Sequence, residues 1–247
     1  GNGHPGGSLS AIDILAALYW KFLKHDPKNP AWEERDRLIL SKGHACPALY
    51  TVMAYRGYFD KAELMRLRKL GSPLQGPPDR LRLPGIEFST GSLGQGLSVA
   101  QGMALAAKMD KKDWRAYCIL GDGELQEGQC WEAFMSAPKF KLDNLIAIVD
   151  HNNGQIDGPV DKVMDIEPVA DKLRAFNWEV QCVDGHDLAA LEKALTSAQK
   201  LGGKPHAIVA KTVKGKGVSF MEHNIAWHGN APKKDDADKA VKEILNG

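Results

Sequence analysis

The sequence has few cysteines and no long apolar run. Its four cysteines form no C-x-x-C pair, and their spacings match no disulfide framework. No apolar stretch approaches the roughly 20 residues that cross a bilayer, and no signal peptide is visible. A disulfide-stabilised secreted protein and a membrane protein are therefore not expected. A reduced, cytoplasmic protein is the simplest interpretation.

The sequence also lacks an excess of charge of either sign. Its formal net charge is +1, and lysines and arginines alternate with acids along the chain. Proteins that bind nucleic acid usually carry a clustered basic patch, so no nucleic-acid partner is expected. The 247 residues, 43% of them hydrophobic, suffice for one α/β unit with a substantial core. Without repeats or long linkers, residues 1–247 are predicted to form a single domain.

The apolar patterns predict an α/β protein with a mostly parallel sheet and helices on both faces. The predicted strands cover residues 37–40, 115–120, 145–150, 179–183 and 206–211. The predicted helices cover residues 8–24, a segment that begins after residue 44 and ends at about 56, and residues 91–108, 127–137, 187–201 and 235–245. Ser8 or Ser10 is the expected N-cap of the first helix. The Pro- and Gly-rich residues 71–88 are predicted to form a loop. Strand, glycine-rich turn, helix and strand in succession are typical of a right-handed parallel unit. Ligands gather at the carboxyl ends of such strands.

Two polar turns follow neighbouring predicted strands. Asp122 ends one strand and Asn152 follows the next, with room between them for one crossover helix. If the strands are adjacent, the two side chains meet at one edge of the sheet. Mg2+ prefers six oxygen ligands, which predicts the Asp122 carboxylate, the Asn152 amide oxygen and the Gly154 carbonyl as its protein ligands. Gly123 would let the backbone approach a phosphate and donate its N–H to it.

Two competing interpretations of these glycine-rich segments are less favoured. A lone Gly-Asp-Gly is a common turn, but its pairing with Asn-Asn-Gly at this spacing favours the metal site. A dinucleotide-binding loop needs G-x-G-x-x-G directly after a strand. Here Gly91, Gly94 and Gly96 follow a Pro-rich loop in a different order.

Several ordered motifs resemble those of the transketolase family. GDGELQEG at 121–128 and DHNNGQIDG at 150–158 resemble its thiamine-diphosphate signature. The other matching motifs are NGHPGG at 2–7, SKGHA at 41–45, STGSLGQG at 89–96, KTVKGKG at 211–217 and WHGNAP at 227–232. The resemblance covers nearly the whole chain. It implies the thiamine-diphosphate-binding fold, with the cofactor held through Mg2+, for which Ca2+ or Mn2+ can substitute.

The resemblance implies roles for three histidines. His4 would bind the sugar substrate, His44 would reach the diphosphate, and His228 would contact both, so that His4 and His228 are the catalytic candidates. The alternative for each is an ordinary surface or helix-capping histidine. Histidine suits these roles because it donates hydrogen bonds and exchanges protons near neutral pH. His223 matches no role and is expected on the surface.

Four further positions carry expectations of the same kind. Gly91 and Leu93 would pack beside the aminopyrimidine. Ile156 would pack on the thiazolium ring, with ordinary core as the alternative. Glu127 resembles an acid that couples paired active sites, although an acid at a helix N-terminus is also favoured by the helix dipole.

One loop departs from the family pattern. The family usually has Gly-His-Pro in the loop before the glycine-rich motif, whereas this chain has Gln75-Gly76-Pro77. Proline has no side-chain or backbone hydrogen-bond donor. We therefore expect a donor ketose other than the usual unmodified pentose or hexose phosphates.

The resemblance covers only part of a family enzyme. Family transketolases carry a second α/β domain that binds the aminopyrimidine, and no match to it is present here. This implies the N-terminal subunit of a split transketolase, with a C-terminal subunit that carries the pyrimidine-binding domain in an α2β2 assembly. A fragment is the alternative. Because the chain opens at Gly1 within a motif, we expect further residues upstream.

The implied reaction is the transfer of a two-carbon glycolaldehyde unit from a ketose, phosphorylated or otherwise modified, to an aldose acceptor. Other thiamine-diphosphate enzymes, resembling 1-deoxyxylulose-phosphate synthase or dihydroxyacetone synthase, are alternatives. So is a non-catalytic scaffold paralogue. The GHPGG and WHGNAP motifs favour the transketolase group.

Overall fold

The short apolar strands form a parallel sheet. The structure is a computed structural model that describes residues 3–246, so Asn2 of the first motif and Gly247 lie outside the described residues. The strands are β1 (Arg37–Leu40), β2 (Ala116–Gly121), β3 (Leu145–His151), β4 (Gly154–Gln155), β5 (Gly158–Pro159), β6 (Glu179–Asp184) and β7 (His206–Lys211). The main sheet has the order β1-β2-β3-β7-β6 with every pair parallel, and β4 and β5 form a small antiparallel pair. The predicted fold class is confirmed.

Helices connect the strands and cover both faces of the sheet. They are α1 (Pro5–Ala17), α2 (Cys46–Arg56), α3 (Gln95–Met109), α4 (Gly128–Lys139), α5 (Val160–Val163), α6 (Val169–Ala175), α7 (Leu188–Ala198) and α8 (Lys234–Asn246). Tyr117 and Ile119 of β2 pack with buried residues of α1, α2 and α7. Cys118 and Leu120, which alternate with them, pack with α3, α4 and α6 on the other face. This alternation follows from the two-residue period of a strand.

The first helix differs from its prediction at both ends. It begins at Pro5, with His4 as the N-cap, and it gives way after Ala17 to a π-helix over Leu18–Phe22. Proline is favoured in the first turn because its φ is already helical and its missing N–H is not needed there. Ser8 does not cap the helix, since its hydroxyl donates to the His4 carbonyl at 2.8 Å inside it.

The other predicted strands and helices hold to within a few residues, but several short elements were not predicted, among them β4 and β5. The sequence patterns did not predict α5 and α6, which are too short to show a clear helical period. Within residues 3–246, no helix is long and apolar enough to cross a membrane. The organisation of residues 1–247 as a single domain stays a prediction.

Candidate functional site

Asp122 and Asn152 meet at the carboxyl edge of the sheet. Gly121 of β2 is in register with Asp150 of β3, so the turns that follow the two strands lie side by side. The Asp122 carboxylate accepts hydrogen bonds from the backbone N–H groups of Gly123, at 2.8 Å, and Asn153. The carboxylate therefore ties the first turn to the second.

One cavity of about 260 Å³ collects the predicted site residues. Its lining includes His4, His44, Gly91, Leu93, Asp122, Gly123, Asn152, Gly154, Ile156 and His228. Further lining residues, for which no role was predicted, include Lys42, Glu124 and Lys214. Segments far apart in the chain thus converge on a single concave site.

Lys214 lies next to two of the predicted metal ligands. Its Nζ donates to the Gly154 carbonyl at 2.8 Å and lies 3.5 Å from Asn152 Oδ1. Burial, followed by the charge of Lys42, lowers the pKa of Lys214 to about 8. The KTVKGKG motif was visible in the sequence, but nothing in the pattern indicated which lysine turns inward.

A second buried lysine, Lys42, forms an ion pair with Asp150. The hydroxyls of Ser10, at 2.6 Å, and Thr212 also donate to this carboxylate. Burial alone would raise the pKa of Asp150, but Lys42 and the two hydroxyls lower it below its ordinary value. The carboxylate is therefore held ionised inside the core. No motif in the sequence predicted this network.

Glu124 connects the glycine-rich loops around the cavity. Its buried carboxylate accepts from the Ser41 hydroxyl and from the N–H groups of Gly94 and Gly121, at 2.9 and 3.0 Å. Burial raises the pKa of Glu124, and these donors oppose the rise. Glu127, the acid singled out in the sequence, is exposed and caps α4 without a side-chain hydrogen bond. Its coupling role stays a prediction.

Three histidine rings cluster at the cavity. The ring centroids of His44 lie 5.3 Å from His4 and 5.1 Å from His228, and those of His4 and His228 lie 6.0 Å apart. Burial, with neighbouring lysines, lowers the pKa of His44 to about 2 and that of His228 to about 3. Burial and the charge of Arg68 also lower the pKa of His4. The cluster is therefore neutral at neutral pH.

The loop that carries Pro77 packs against Gly91, which lines the cavity. Gly91 has φ of +146°, and a Cβ added to it would lie 3.1 Å from the Pro77 ring. Leu93 is half-buried, whereas 69% of Ile156 is exposed. The core alternative for Ile156 is therefore wrong. His223 is exposed, as expected.

The donor set of the site is unlike that of a zinc site. Among residues 3–246, no three His, Cys, Asp or Glu side chains converge as a metal-binding cluster. A cation beside Asp122 would instead bind amide, carbonyl and external oxygens. Hard cations such as Mg2+ use that donor set.

A parallel α/β sheet with buried lysines and an acid–amide pair at its carboxyl edge defines a ligand-binding α/β domain, because open α/β sheets bind ligands at that edge. The family model described as transketolase, thiamine diphosphate binding domain, matches residues 1–246. The chain belongs to the transketolase family, and residues 1–246 match its thiamine-diphosphate-binding domain.

Two curated relatives are similar to this chain along most of their length. A 6-deoxy-6-sulfo-D-fructose transketolase subunit of Clostridium sp. strain MSTE9 is 48% identical over 244 residues, 99% of this chain and 89% of the relative. An apulose-4-phosphate transketolase subunit of Phocaeicola vulgatus is 42% identical over 242 residues, which cover 98% of this chain and 86% of the relative. The interpretation as a subunit of a transketolase-type enzyme is confirmed.

Longer transketolases match over only part of their length. Human transketolase is 44% identical over an alignment of 252 positions, which covers 100% of this chain but 39% of the human protein. The crystal structure of transketolase from Campylobacter jejuni superimposes with a TM-score of 0.92 at 40% identity, covering 99% of this chain and 39% of that one. The chain thus corresponds to about two fifths of these enzymes.

Proposed function

We propose that this chain is the diphosphate-binding subunit of an enzyme that transfers a two-carbon glycolaldehyde unit from a ketose to an aldose acceptor. The observation that carries the proposal is the neutral cluster of His4, His44 and His228 at the cavity that Asp122 and Lys214 line. A neutral imidazole both donates and accepts hydrogen bonds. Such a cluster suits a hydroxyl-rich sugar next to an anionic diphosphate.

Asp122, Asn152 and Gly154 are the proposed ligands of Mg2+, with Ca2+ or Mn2+ as substitutes. Burial and the nearby charge of Asp150 raise the pKa of Asp122, so a bound cation would stabilise the ionised carboxylate. Gly154 also favours the site, because a Cβ there would lie 2.8 Å from Cδ of Lys214. The same Cβ would lie 3.2 Å from Oδ1 of Asn152, so glycine keeps the space beside that proposed ligand free.

Thiamine diphosphate fits the rest of the cavity. Gly123, His44, His228 and Lys214 are proposed to hold its diphosphate, since an N–H, two imidazoles and an ammonium are all able to donate to phosphate oxygens. When bound, the cofactor supplies the carbon nucleophile that carries the two-carbon unit. The chain binds and orients it.

Apolar positions are proposed to hold the cofactor rings. Ile156 would pack on the thiazolium ring, and its high exposure leaves apolar surface for that contact. Gly91 and Leu93 would border the aminopyrimidine. His4 and His228 are the proposed catalytic residues, which bind sugar hydroxyls and exchange protons with them.

The proposed donor is a modified ketose that carries an anionic group. The named substrates of the two relatives that match along most of their length are 6-deoxy-6-sulfo-D-fructose and apulose 4-phosphate. Pro77 supports the same proposal, because it removes a hydrogen-bond donor from the loop beside Gly91. The donor site would therefore differ from one that recognises unmodified ketose phosphates.

A partner chain with the pyrimidine-binding domain is proposed to complete the site in an α2β2 assembly. The curated relatives that match along most of their length are named as subunits, and full transketolases extend well beyond this chain. Alone, the chain is expected to bind the cofactor weakly and to show no turnover. Its free cysteines, including the buried Cys46, Cys118 and Cys130, support a reducing, cytoplasmic compartment.

Co-purification followed by a donor screen tests the proposal. The tagged chain is isolated from its host, and a co-purifying chain with a pyrimidine-binding domain is expected. The complex, supplied with thiamine diphosphate and Mg2+, is then assayed with sulfonated, phosphorylated and unmodified ketoses and an aldose acceptor. If the wild-type complex transfers the two-carbon unit and the complex with Asp122→Asn does not, the proposed function is supported. A complex that transfers no two-carbon unit contradicts it, and turnover by the isolated chain contradicts the need for a partner.

A further inference from the structure

Arg68 lies beside the proposed sugar-binding histidine. Its Nη2 is 3.4 Å from Nδ1 of His4. A guanidinium remains protonated in proteins and has no acceptor atom. In this hydrogen bond Nδ1 must therefore accept, which leaves the proton of the neutral ring on Nε2.

The backbone around Arg68 directs its side chain to this position. Arg68 has φ of +59°, an uncommon conformation for a residue with a side chain, and its N–H donates to the Leu74 carbonyl at 2.8 Å. Gly76 provides the necessary space, because a Cβ there would lie 2.9 Å from the Arg68 Nε. A side chain at position 76 would therefore displace the guanidinium from this position.

No acid competes with His4 for this guanidinium. Across the described part of the chain, Arg68 has no carboxylate within 4.0 Å, and its buried Nε has no hydrogen-bond partner. The nearby Arg66 behaves differently, since it is exposed and pairs with Glu63 at 3.1 Å. An ordinary surface ion pair therefore does not account for the position of Arg68.

His4 belongs to the lining of the cavity. Gly229 lies beside its Nε2 without a side chain, and a Cβ there would be at an ordinary contact distance of 3.7 Å from this atom. The other groups that face His4 are the rings of His44 and His228 and the charge of Lys214. A ligand oxygen that reaches Nε2 would meet a donor.

We propose that Arg68 is a positioning residue that holds His4 as the Nε2–H tautomer, so that His4 donates a hydrogen bond to a carbonyl or hydroxyl oxygen of the sugar. The tautomer is a property of this chain, whereas its use on a sugar rests on the proposed function. Arg68 itself acts through His4.

Nitrogen-15 NMR of the full chain tests the tautomer directly. The His4 signals are assigned by their loss in His4→Asn. The wild type is expected to show an unprotonated Nδ1 and a protonated Nε2. Arg68→Met is expected to shift both signals toward a mixture of tautomers, while the matched control Arg66→Met leaves them unchanged. A protonated Nδ1 in the wild type, or unchanged His4 signals in Arg68→Met, overturns the proposal.

Two further variants keep the test decisive if Arg68→Met does not fold. Gly76→Ala should displace the guanidinium and shift the same signals, and Arg68→Lys, which keeps a donor, should preserve the wild-type tautomer.

In the complex with its partner, Arg68→Met should raise the donor KM about tenfold, as expected for one lost hydrogen bond, while the Kd for thiamine diphosphate stays within about twofold. An unchanged donor KM overturns the role toward the sugar. A wild-type complex without transfer activity contradicts the proposed function and leaves the NMR result to decide the tautomer.

Discussion

Lys42 and Asp150 form a fully buried ion pair beside the cavity. Lys42 follows β1, while Asp150 lies in β3, two residues before Asn152. The pair joins the segment that carries His44 to the strand that ends at the proposed metal site. Ser10 of α1 and Thr212, which follows β7, also donate to the same carboxylate, so four distant segments meet at one charge.

Asp150→Asn should lower the free energy of unfolding by about 3–5 kcal/mol, because it leaves the Lys42 ammonium buried without its counterion. Urea unfolding of the full chain measures the change. Asp171→Asn is the matched control, since it breaks an exposed ion pair with Arg174 and should cost at most about 1 kcal/mol. Adding Lys42→Met to Asp150→Asn should recover part of the loss. Equal effects of the two single substitutions would contradict a structural role for the pair.

Lys214→Met should raise the Kd for thiamine diphosphate with Mg2+ by about tenfold or more, because it removes a buried ammonium worth at least one charged hydrogen bond. Calorimetric titration of the reconstituted complex measures the affinity. Lys216→Met is the control, because Lys216 is exposed and lies 3.8 Å from Glu222. If Lys214→Met binds the cofactor as tightly as this control, Lys214 does not hold the diphosphate.

Pro77→His should increase the rate with unmodified ketose phosphates, because an imidazole restores a hydrogen-bond donor next to Gly91. The quantity to measure is kcat/KM for unmodified ketose phosphates divided by kcat/KM for modified ketoses. Pro77→Ala removes the ring without adding a donor and should not produce the gain. No gain in Pro77→His would show that Pro77 does not determine the donor.

The stability of the chain should fall as the pH drops below about 6.5. An unfolded histidine takes up a proton near that pH, whereas burial lowers the pKa of His44 to about 2 in the folded chain. The unfolded state therefore binds more protons, and His44 contributes a loss of about 1.4 kcal/mol per pH unit between those two values. Urea unfolding at pH 7 and pH 5 should show a smaller difference for His44→Asn than for the wild type. The matched control is the exposed His223→Asn. If the free energy of unfolding differs between pH 7 and pH 5 by the same amount in the wild type and in both variants, this account is wrong.

The sequence by itself determined the architecture and the principal site segments. Short continuous apolar runs specify the central strands because a parallel strand with helices on both sides of the sheet buries both of its faces. Parallel strands place their following turns at one edge, so the meeting of Asp122 and Asn152 was predictable from two turns and their spacing. The motifs around His4, His44 and His228 likewise pointed to a common cofactor.

Only the tertiary structure decided which neighbouring groups support that site. Lys42, Lys214 and Glu124 lie in motifs that were visible, yet a motif does not show which charged side chain turns into the core and which stays in water. Glu124 rather than Glu127 binds the loops because its carboxylate reaches three donors at once. The contact between Arg68 and His4 joins residues 64 positions apart. It depends on the space above Gly76, and no local periodicity records such a contact.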